Sequence, residues 1–456
     1  MPKHPAPKVY IDDILMDAFK ADKMPVLGGM SIEYGVDTDL DMQGVEQCSL
    51  SILIKEPSDP SFLDLGKTLA IYHQPTAGES SFTYFVGRIQ RLNASHVIHA
   101  ETKEWMLQVD IQASDFTADL VNETVYNVAS IAVPASTRIG HMNFWAPDGW
   151  TVNSFPLRFP DRVHAVLSYK EKPFLELLDQ FLRGQIMQRT NRSYYVPGTG
   201  AVKVLTAIQD STKSVARDKL GKYADGRWGV NAGLPTATST VSITVHASNI
   251  LADAGWTKEP EDVITEVSLQ RLDPWNGEDD SKRTPITSRN HVDTAAMRTR
   301  FGIRSVEFDT DLPAGGDVSE VVPVFNHWLS TESQWRTKSL TFKDTERLTI
   351  SQLSYLIAPT SRQTAFLVVR DPVENRPDRG TSDIRGVVIG GSATWTGKKW
   401  ELSVTLGRVP GLPADGNYYT CANIATEAEG YFAAGQCDTV GDELSCNDFL
   451  RIGAPA

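Results

Sequence analysis

Trp105-Met106-Leu107-Gln108-Val109-Asp110-Ile111 and Trp400-Glu401-Leu402-Ser403-Val404-Thr405-Leu406 decide how this chain is read. Both fit W-x-L-x-V-x-[IL], with apolar residues alternating with mostly polar ones. Side chains alternate across a strand, so each phrase predicts a strand with one face in a core. Each follows a run containing glycine, Val86-Gly87-Arg88 in one case and Val388-Ile389-Gly390 in the other. The echo suggests an internal duplication. Chance recurrence of so short a pattern stays open beside it.

Upstream of the first phrase the same period continues. Val9-Tyr10-Ile11 opens a strand, then Met30, Ile32 and Tyr34 alternate, and so do Cys48, Leu50, Ile52 and Ile54. Phe85-Val86-Gly87-Arg88-Ile89 is a further strand. Gly28-Gly29 and Ser58-Asp59-Pro60-Ser61 are turn or loop signals. After the phrase come Ala113-Ser114-Asp115 and a short helical run, Ala118–Asn122.

Residues 126–236 differ in texture. Phe174, Leu177, Leu178, Phe181 and Leu182 form the apolar stripe of an amphipathic helix, with Pro173 suited to its first turn. Residues 211–236 are polar and read as a long loop or insertion. Strands resume at Val241, Ile243 and Val245, then at Val263, Val267 and Leu269. Asp273 to Asn290 reads as a polar hairpin loop, and Ile303, Val306 and Phe308 as a strand. Val318, Val321, Val322, Phe325, Trp328 and Leu329 lie at helical spacing. Leu340-Thr341-Phe342 and Phe366-Leu367-Val368-Val369 look extended, and the chain beyond Pro410 is aperiodic. The expectation is a mainly β protein with a few helices. Its domains run 1–125 (β), 126–236 (α+β with a polar insertion), 237–410 (β) and 411–456 (extended tail).

A chain of 456 residues suggests about three domains and can bury a sizeable core. The net charge of −13 argues against wrapping nucleic acid and against adhesion to an anionic membrane. Met1–Lys8 is followed by no apolar segment of signal-peptide length, and no run of about 18 apolar residues occurs. The expectation is a soluble chain that would reach the outside of a cell by lysis or assembly.

Chemical motifs are weak. Asp37-Thr38-Asp39-Leu40-Asp41 starts like a calcium loop, but Met42 and Cys48 stand where that loop needs Gly and Glu. His96 and His99 lie three apart, which in a strand places them on opposite faces. Gly198-Thr199-Gly200 begins like a dinucleotide fingerprint, yet Lys203 replaces the last glycine. Gly390-Gly391-Ser392 lacks the nucleophile-elbow pattern. Cys48 reads as a buried apolar residue. Cys421, Cys437 and Cys446 match no common zinc spacing, and whether any of them forms a disulfide stays open. No catalytic, cofactor-binding or metal-binding residue is assigned, and the chain is read as non-enzymatic, with no cofactor.

Four phrases, in order, resemble the hub-type minor tail proteins of siphophages, particularly those infecting actinobacteria. The first is Val26-Leu27-Gly28-Gly29-Met30-Ser31-Ile32 leading to Cys48-Ser49-Leu50. The second is Phe85–Ile89, then Ala113-Ser114-Asp115 and Ala118–Asn122. The third is Trp256 through Val267, Phe301-Gly302-Ile303-Arg304 and the helical run ending at Trp328-Leu329. The fourth is the closing strand with Trp400. Together they span most of residues 8–410.

The resemblance implies two tail-tube-like β-barrels per subunit and a homotrimer forming a pseudo-sixfold ring. It implies a structural role in the virion tail tip, or baseplate hub, after synthesis in the host cytoplasm. The implied partners are a distal tail or tail tube protein, a tape measure protein and other tail-tip proteins. No membrane is implied, and DNA is met only in transit through the lumen. Residues 211–236 and 411–456 lie outside the resemblance. A receptor- or carbohydrate-binding module of the tail tip is the alternative.

Overall fold

The computed structural model describes residues 4–16, 23–26, 29–36, 44–55, 62–73, 82–99, 103–147, 150, 152, 161–185, 188–191, 194–196, 200–202, 205–208, 220–222, 228–230, 241–251, 257, 263, 265–272, 283–289, 295–314, 337–357, 365–370 and 384–407. The protein is mainly β with few helices. The first strands are β1 (Lys8–Ile11), β2 (Ile14–Leu15), β3 (Lys23–Val26), β4 (Met30–Gly35), β5 (Gln47–Lys55), β6 (Thr68–His73), β7 (Phe82–Ile98) and β8 (Trp105–Asp115). There follow α1 (Thr117–Val121), β9 (Thr124–Ser130), β10 (Val133–Pro134), α2 (Ala135–Trp145), β11 (Val163–His164), β12 (Leu167–Pro173) and α3 (Phe174–Gly184).

Short strands come next. β13 (Gln188–Asn191) pairs with β16 (Leu205–Ile208), and β14 (Tyr194–Val196) with β15 (Gly200–Val202). β17 (Leu220–Lys222) pairs with β18 (Trp228–Val230), inside the stretch read as a loop or insertion. The last part holds β19 (Val241–His246), β20 (Glu266–Leu272), β21 (Arg283–Arg289), α4 (Ala295–Phe301), β22 (Ser305–Pro313), β23 (Ser339–Thr341), α5 (Ile350–Ile357), β24 (Ala365–Arg370), β25 (Ile384–Trp395) and β26 (Trp400–Gly407).

Strands from both ends of the chain share one thirteen-stranded sheet, ordered β19-β24-β25-β4-β5-β8-β7-β6-β1-β2. β26 adds to β25 and carries β23, while β3 adds to β5. Every pairing in this sheet is antiparallel except that of β19 with β24. The joint is β4 with β25, from Met30 opposite Trp395 to Gly35 opposite Gly390. Gly35 sits at φ +85°, and a Cβ there would collide with the Ile389 carbonyl and Gly390 Cα. Only glycine allows both that dihedral and that approach.

The sequence echo has a structural counterpart. The β7–β8 hairpin bulges between Ile89 and Arg91, and the β25–β26 hairpin between Val388 and Gly390. The extra residues are Gln90 and Ile389, and the residue three before each is Gly87 in one strand and Gly386 in the other. Val109 and Ile111 face the core in β8, as do Val404 and Leu406 in β26. The tryptophans differ. Trp400 is 1% exposed and Trp105 is 59% exposed.

One apolar cluster runs from Val9 to Leu406 and takes in both ends of the chain. Tyr84 of β7 meets Trp400 of β26 at 5.2 Å between ring centres, and Trp395 meets the same ring at 5.6 Å. His4 Nε2 donates to the Thr345 carbonyl at 3.1 Å, and Thr345 Oγ1 donates to that of Trp400 at 2.5 Å.

A second cluster gathers α1, α2, α3 and the two-stranded sheet β9–β12. The expected stripe of α3 is fully buried. Each of its five side chains removes enough apolar surface to contribute about 1.5–3 kcal/mol. Leu272 of β20 joins this cluster, and β22 packs on α3. β20, β21 and β22 form a separate three-stranded sheet, ordered β21-β20-β22, which meets the middle segment through Leu272 and β22.

Several local readings are corrected. Ala113-Ser114-Asp115 continues β8, and the polar run after Ile89 continues β7 to Ile98, because cross-strand bonds hold there without an alternating pattern. Arg283–Arg289 is a strand rather than loop, at a sheet edge where Pro285 is tolerated. Ile303 precedes β22 and is exposed. Asp37–Asp41, Ser58–Ser61, the helical run from Val318 to Leu329, and residues 411–456 lie outside the described residues.

Gly35→Ala is expected to cost roughly 2–4 kcal/mol in denaturant unfolding followed by tryptophan fluorescence. Gly44→Ala, where an added Cβ meets nothing within 4 Å, is expected to stay within about 0.5 kcal/mol of the parent. Equal midpoints for the two variants would show that the joint tolerates a side chain.

Candidate functional site

Among the described residues, the densest group of buried ionisable side chains lies where the middle segment meets β22. Four elements converge there. Arg138 comes from α2, His164 from β11, Gln185 from the end of α3 and Asp311 from β22. Relative exposure is 0% for Arg138, His164 and Gln185 and 1% for Asp311.

Each position has a local cause. Pro134 precedes α2 and suits the start of a helix, and the burial of Ala135, Arg138 and Met142 marks one helix face. α3 ends at Gly184, where a Cβ would stand 3.2 Å from both Asp311 Oδ1 and His164 Cε1. The bare backbone there lets α3 close on the pair.

His164 Nδ1 donates to Asp311 Oδ1 in a short contact, and the Gln185 side-chain amide meets His164 Nε2 at 2.9 Å. Arg138 Nη2 donates to the Ala165 carbonyl, and Arg138 Nε stands 3.9 Å from Asp311 Oδ2. The His164 ring packs on Phe181 at 4.9 Å. Arg138 Nε and Nη1 and Asp311 Oδ2 have no hydrogen-bond partner among the described residues. Burial by itself raises the Asp311 pKa. The charge and hydrogen bond of His164, and the charge of Arg138, outweigh it and hold the carboxyl below its ordinary range. Burial lowers the Arg138 pKa, opposed by Asp311.

An Asp–His pair can orient a general base, but that chemistry needs a nucleophile within reach of the far ring nitrogen. Here that nitrogen meets an amide, and all four groups are closed to solvent. The arrangement acts as a fastener between α2, β11, α3 and β22. Sequence reading missed it because its members lie up to 173 positions apart (Arg138 to Asp311) and no local motif links them.

The residues singled out from sequence are dispersed. His96 is in β7, and His99 lies in the turn after it, where its amide bonds the Glu104 carbonyl. Cys48 is a free, buried thiol whose pKa is pushed up by burial. Gly390, Gly391 and Ser392 are consecutive residues of β25, and Gly200 opens β15. Among the described residues no group of three or more His, Cys, Asp or Glu could hold a metal. Cys421, Cys437 and Cys446 lie outside the described residues.

No protein-family model and no curated protein matches the chain. Among solved structures, it is similar to the 43 kDa tail protein of prophage MuSo2 from Shewanella oneidensis. The identity is 10%, the coverage 89% of this chain and 99% of that one, and the TM-score 0.48. It is also similar to prophage tail protein gp18 from Listeria monocytogenes EGD-e, at 10% identity, 88% and 94% coverage and TM-score 0.42. A third is the E. coli c3393 protein, described as a type VI secretion component similar to T4 tail proteins gp27 and gp5. There the identity is 9%, the coverage 88% and 76%, and the TM-score 0.40.

Asp311→Ala is expected to cost about 3–5 kcal/mol, because it strands a buried guanidinium. Arg138→Met combined with Asp311→Leu is expected to regain most of that loss. A double variant no more stable than the single would argue against a charge-driven effect. The carboxyl's folded pKa is depressed, so its stability is present above the unfolded value of about 3.9 and is lost as pH falls through the folded one. The acid limb of stability below about pH 5 should therefore be shallower in Asp311→Asn than in the parent.

Proposed function

We propose that the chain is a non-enzymatic structural component of a phage tail tip, a homotrimeric hub whose paired β units form a pseudo-sixfold ring around the DNA path. The observation that carries this reading is the repeated bulged hairpin, β7–β8 and β25–β26, joined through β4 and β5 into one sheet. Two related units in one subunit reconcile threefold with sixfold symmetry, since head-to-tail contacts close a ring when the rotation fits. The ordered phrases from Val26 to Trp400 point the same way. In this reading the two units are drawn from 1–125 and 237–410, with the sheet of 266–313 turned toward the middle segment of 126–236. Distal tail or tube, tape measure and tip proteins are its partners.

Charge supports it. The outward face of the joined sheet carries Glu33, Asp110 and Glu401 among hydroxyls such as Ser31, Ser49 and Thr394. Arg91 lies on the same face, and Arg88 is tied to Asp119 at 2.8 Å. The formal charge of −13 also disfavours counterion release, so DNA in transit would be held weakly.

Mass photometry of the purified full-length chain tests the reading. A stable trimer or a ring of trimers is expected. A strict monomer at every concentration, also with tail-tube protein present, would overturn it. Glycan binding by that monomer would favour a carbohydrate-binding tip module instead.

A further inference from the structure

One end of the sheet β21-β20-β22 gathers positive charge. Glu266 opens β20, opposite Arg289 at the end of β21 and Ser305 at the start of β22. Both its carboxylate oxygens are taken, one by Arg298 Nη2 at 3.2 Å and one by Ser305 Oγ at 2.9 Å. Arg300 lies over the Phe301 ring at 4.9 Å, and Arg304 Nε donates to the Phe301 carbonyl at 3.2 Å. Neither of these two arginines meets a carboxylate among the described residues. Between them Gly302 turns at φ +74° and Ile303 stands 66% exposed. Cations suit the last turn of a helix, which accounts for Arg298 and Arg300 on α4. It does not account for Arg304 or for Ile303, which follow the helix. Residues 281–304 hold six bases against the single acid Asp293. The formal charge is therefore +5 there and −18 over the rest of a chain whose total is −13.

The turn between β1 and β2 has complementary chemistry. Asp12 and Asp13 form it, both exposed. Asp12 Oδ1 accepts from the Thr68 amide, and the Asp12 amide donates to the Thr68 carbonyl, both at 2.9 Å. These bonds bring the turn next to the segment Asp64–Thr68. Asp64 is exposed there, and the apolar side chains of Leu65 and Ile14 are 60% and 37% exposed. Two bases stand near. Lys67 lies 3.6 Å from Asp12, and Arg88 bonds the Gly66 carbonyl while its Nε holds Asp119. Counting Asp119, four acids face those two bases, so the corner is acidic.

We propose that the end carrying Arg300, Ile303 and Arg304 in one copy of the chain docks on the corner carrying Asp12, Asp13, Asp64 and Leu65 in a second copy. Two copies at −13 repel each other on average, so approach is favoured where opposite signs meet. Ile303 against Leu65 and Ile14 would supply a dry centre, with arginines and carboxylates as its rim. An isoleucine between the arginines suits a protein partner, whereas a phosphate backbone gains nothing from it. The two patches differ, so the contact is head to tail, the kind that closes a ring when the rotation fits. The inference rests on the hub reading and names a contact between its subunits.

A crossed charge reversal in the full-length chain, read by mass photometry over a concentration series, tests the proposal. One variant combines Arg300→Glu with Arg304→Glu, the other Asp64→Lys with Leu65→Lys. Each is expected to raise the concentration needed for assembly about tenfold or more. All four substitutions in one chain restore opposite signs across the contact and are expected to regain most of the association. Raised salt should weaken the parent and the quadruple variant alike. An unreactive Cys48 thiol reports that the core is intact in each. Equal assembly of the parent and both reversed variants would overturn the proposal and leave the hub reading standing. So would a quadruple variant as weak as either reversal. A parent that stays monomeric at every concentration would overturn both. Loss of duplex DNA binding on Arg300→Glu with Arg304→Glu, at unchanged assembly, would overturn the proposal in favour of a phosphate partner. Should Arg304→Glu disturb the fold, Arg300→Glu alone, at an exposed side chain, takes its place in the same crossed comparison.

Discussion

The backbone pairing of β4 with β25 is the constraint on which the rest depends. It brings Met30–Gly35 beside Gly390–Trp395 and turns two distant stretches into one sheet. At Gly35 that closeness leaves no room for a Cβ, and on the other side of β25 a Cβ on Gly391 would strike the Ser403 carbonyl of β26. With the joint made, Tyr84 can reach Trp400, and the segment at His4 can lie across Thr345. One core then serves both ends of the chain.

The middle segment is held by different physics. Its α3 stripe is ordinary apolar burial, roughly proportional to area removed from water. The contact with β22 adds a charged network at full burial, which is expensive to desolvate and unforgiving of losing one member. Such a network adds little net stability over an apolar replacement. It does fix geometry, because a carboxylate, an imidazole and a guanidinium tolerate fewer arrangements than methyl groups.

Much of this was legible in the sequence, and the reasons are specific. W-x-L-x-V-x-[IL] gave two true strands because half their side chains meet the core. The α3 stripe was readable because five large apolar residues share one helix face. α2 was not, since Ala-Ser-Thr-Arg-Ile-Gly-His buries an arginine where an apolar residue would have signalled a face. The outer half of β7 was invisible because it is exposed on both faces, leaving no alternation to read. Register lay beyond reach as well. The β4–β25 joint and the Arg138–His164–Asp311 contacts depend on which segments meet across hundreds of residues, and local pattern carries no such information.

The span of the closure also has a consequence in time. His4 and Thr345 are 341 positions apart, and the closing strand ends at Gly407. At roughly 5–20 residues per second, a ribosome that has finished β8 needs on the order of 15–60 s more to deliver β26. Through that interval the inner face of β4, β5 and β8 waits for Trp395, Trp400 and Leu402. A nascent chain in this state is a sticky, half-lined shell, most vulnerable to mispairing with its neighbours on the same message. The late arrival of the joint thus makes synthesis rate, and any chaperone that shields the waiting sheet, part of what determines the yield of folded protein.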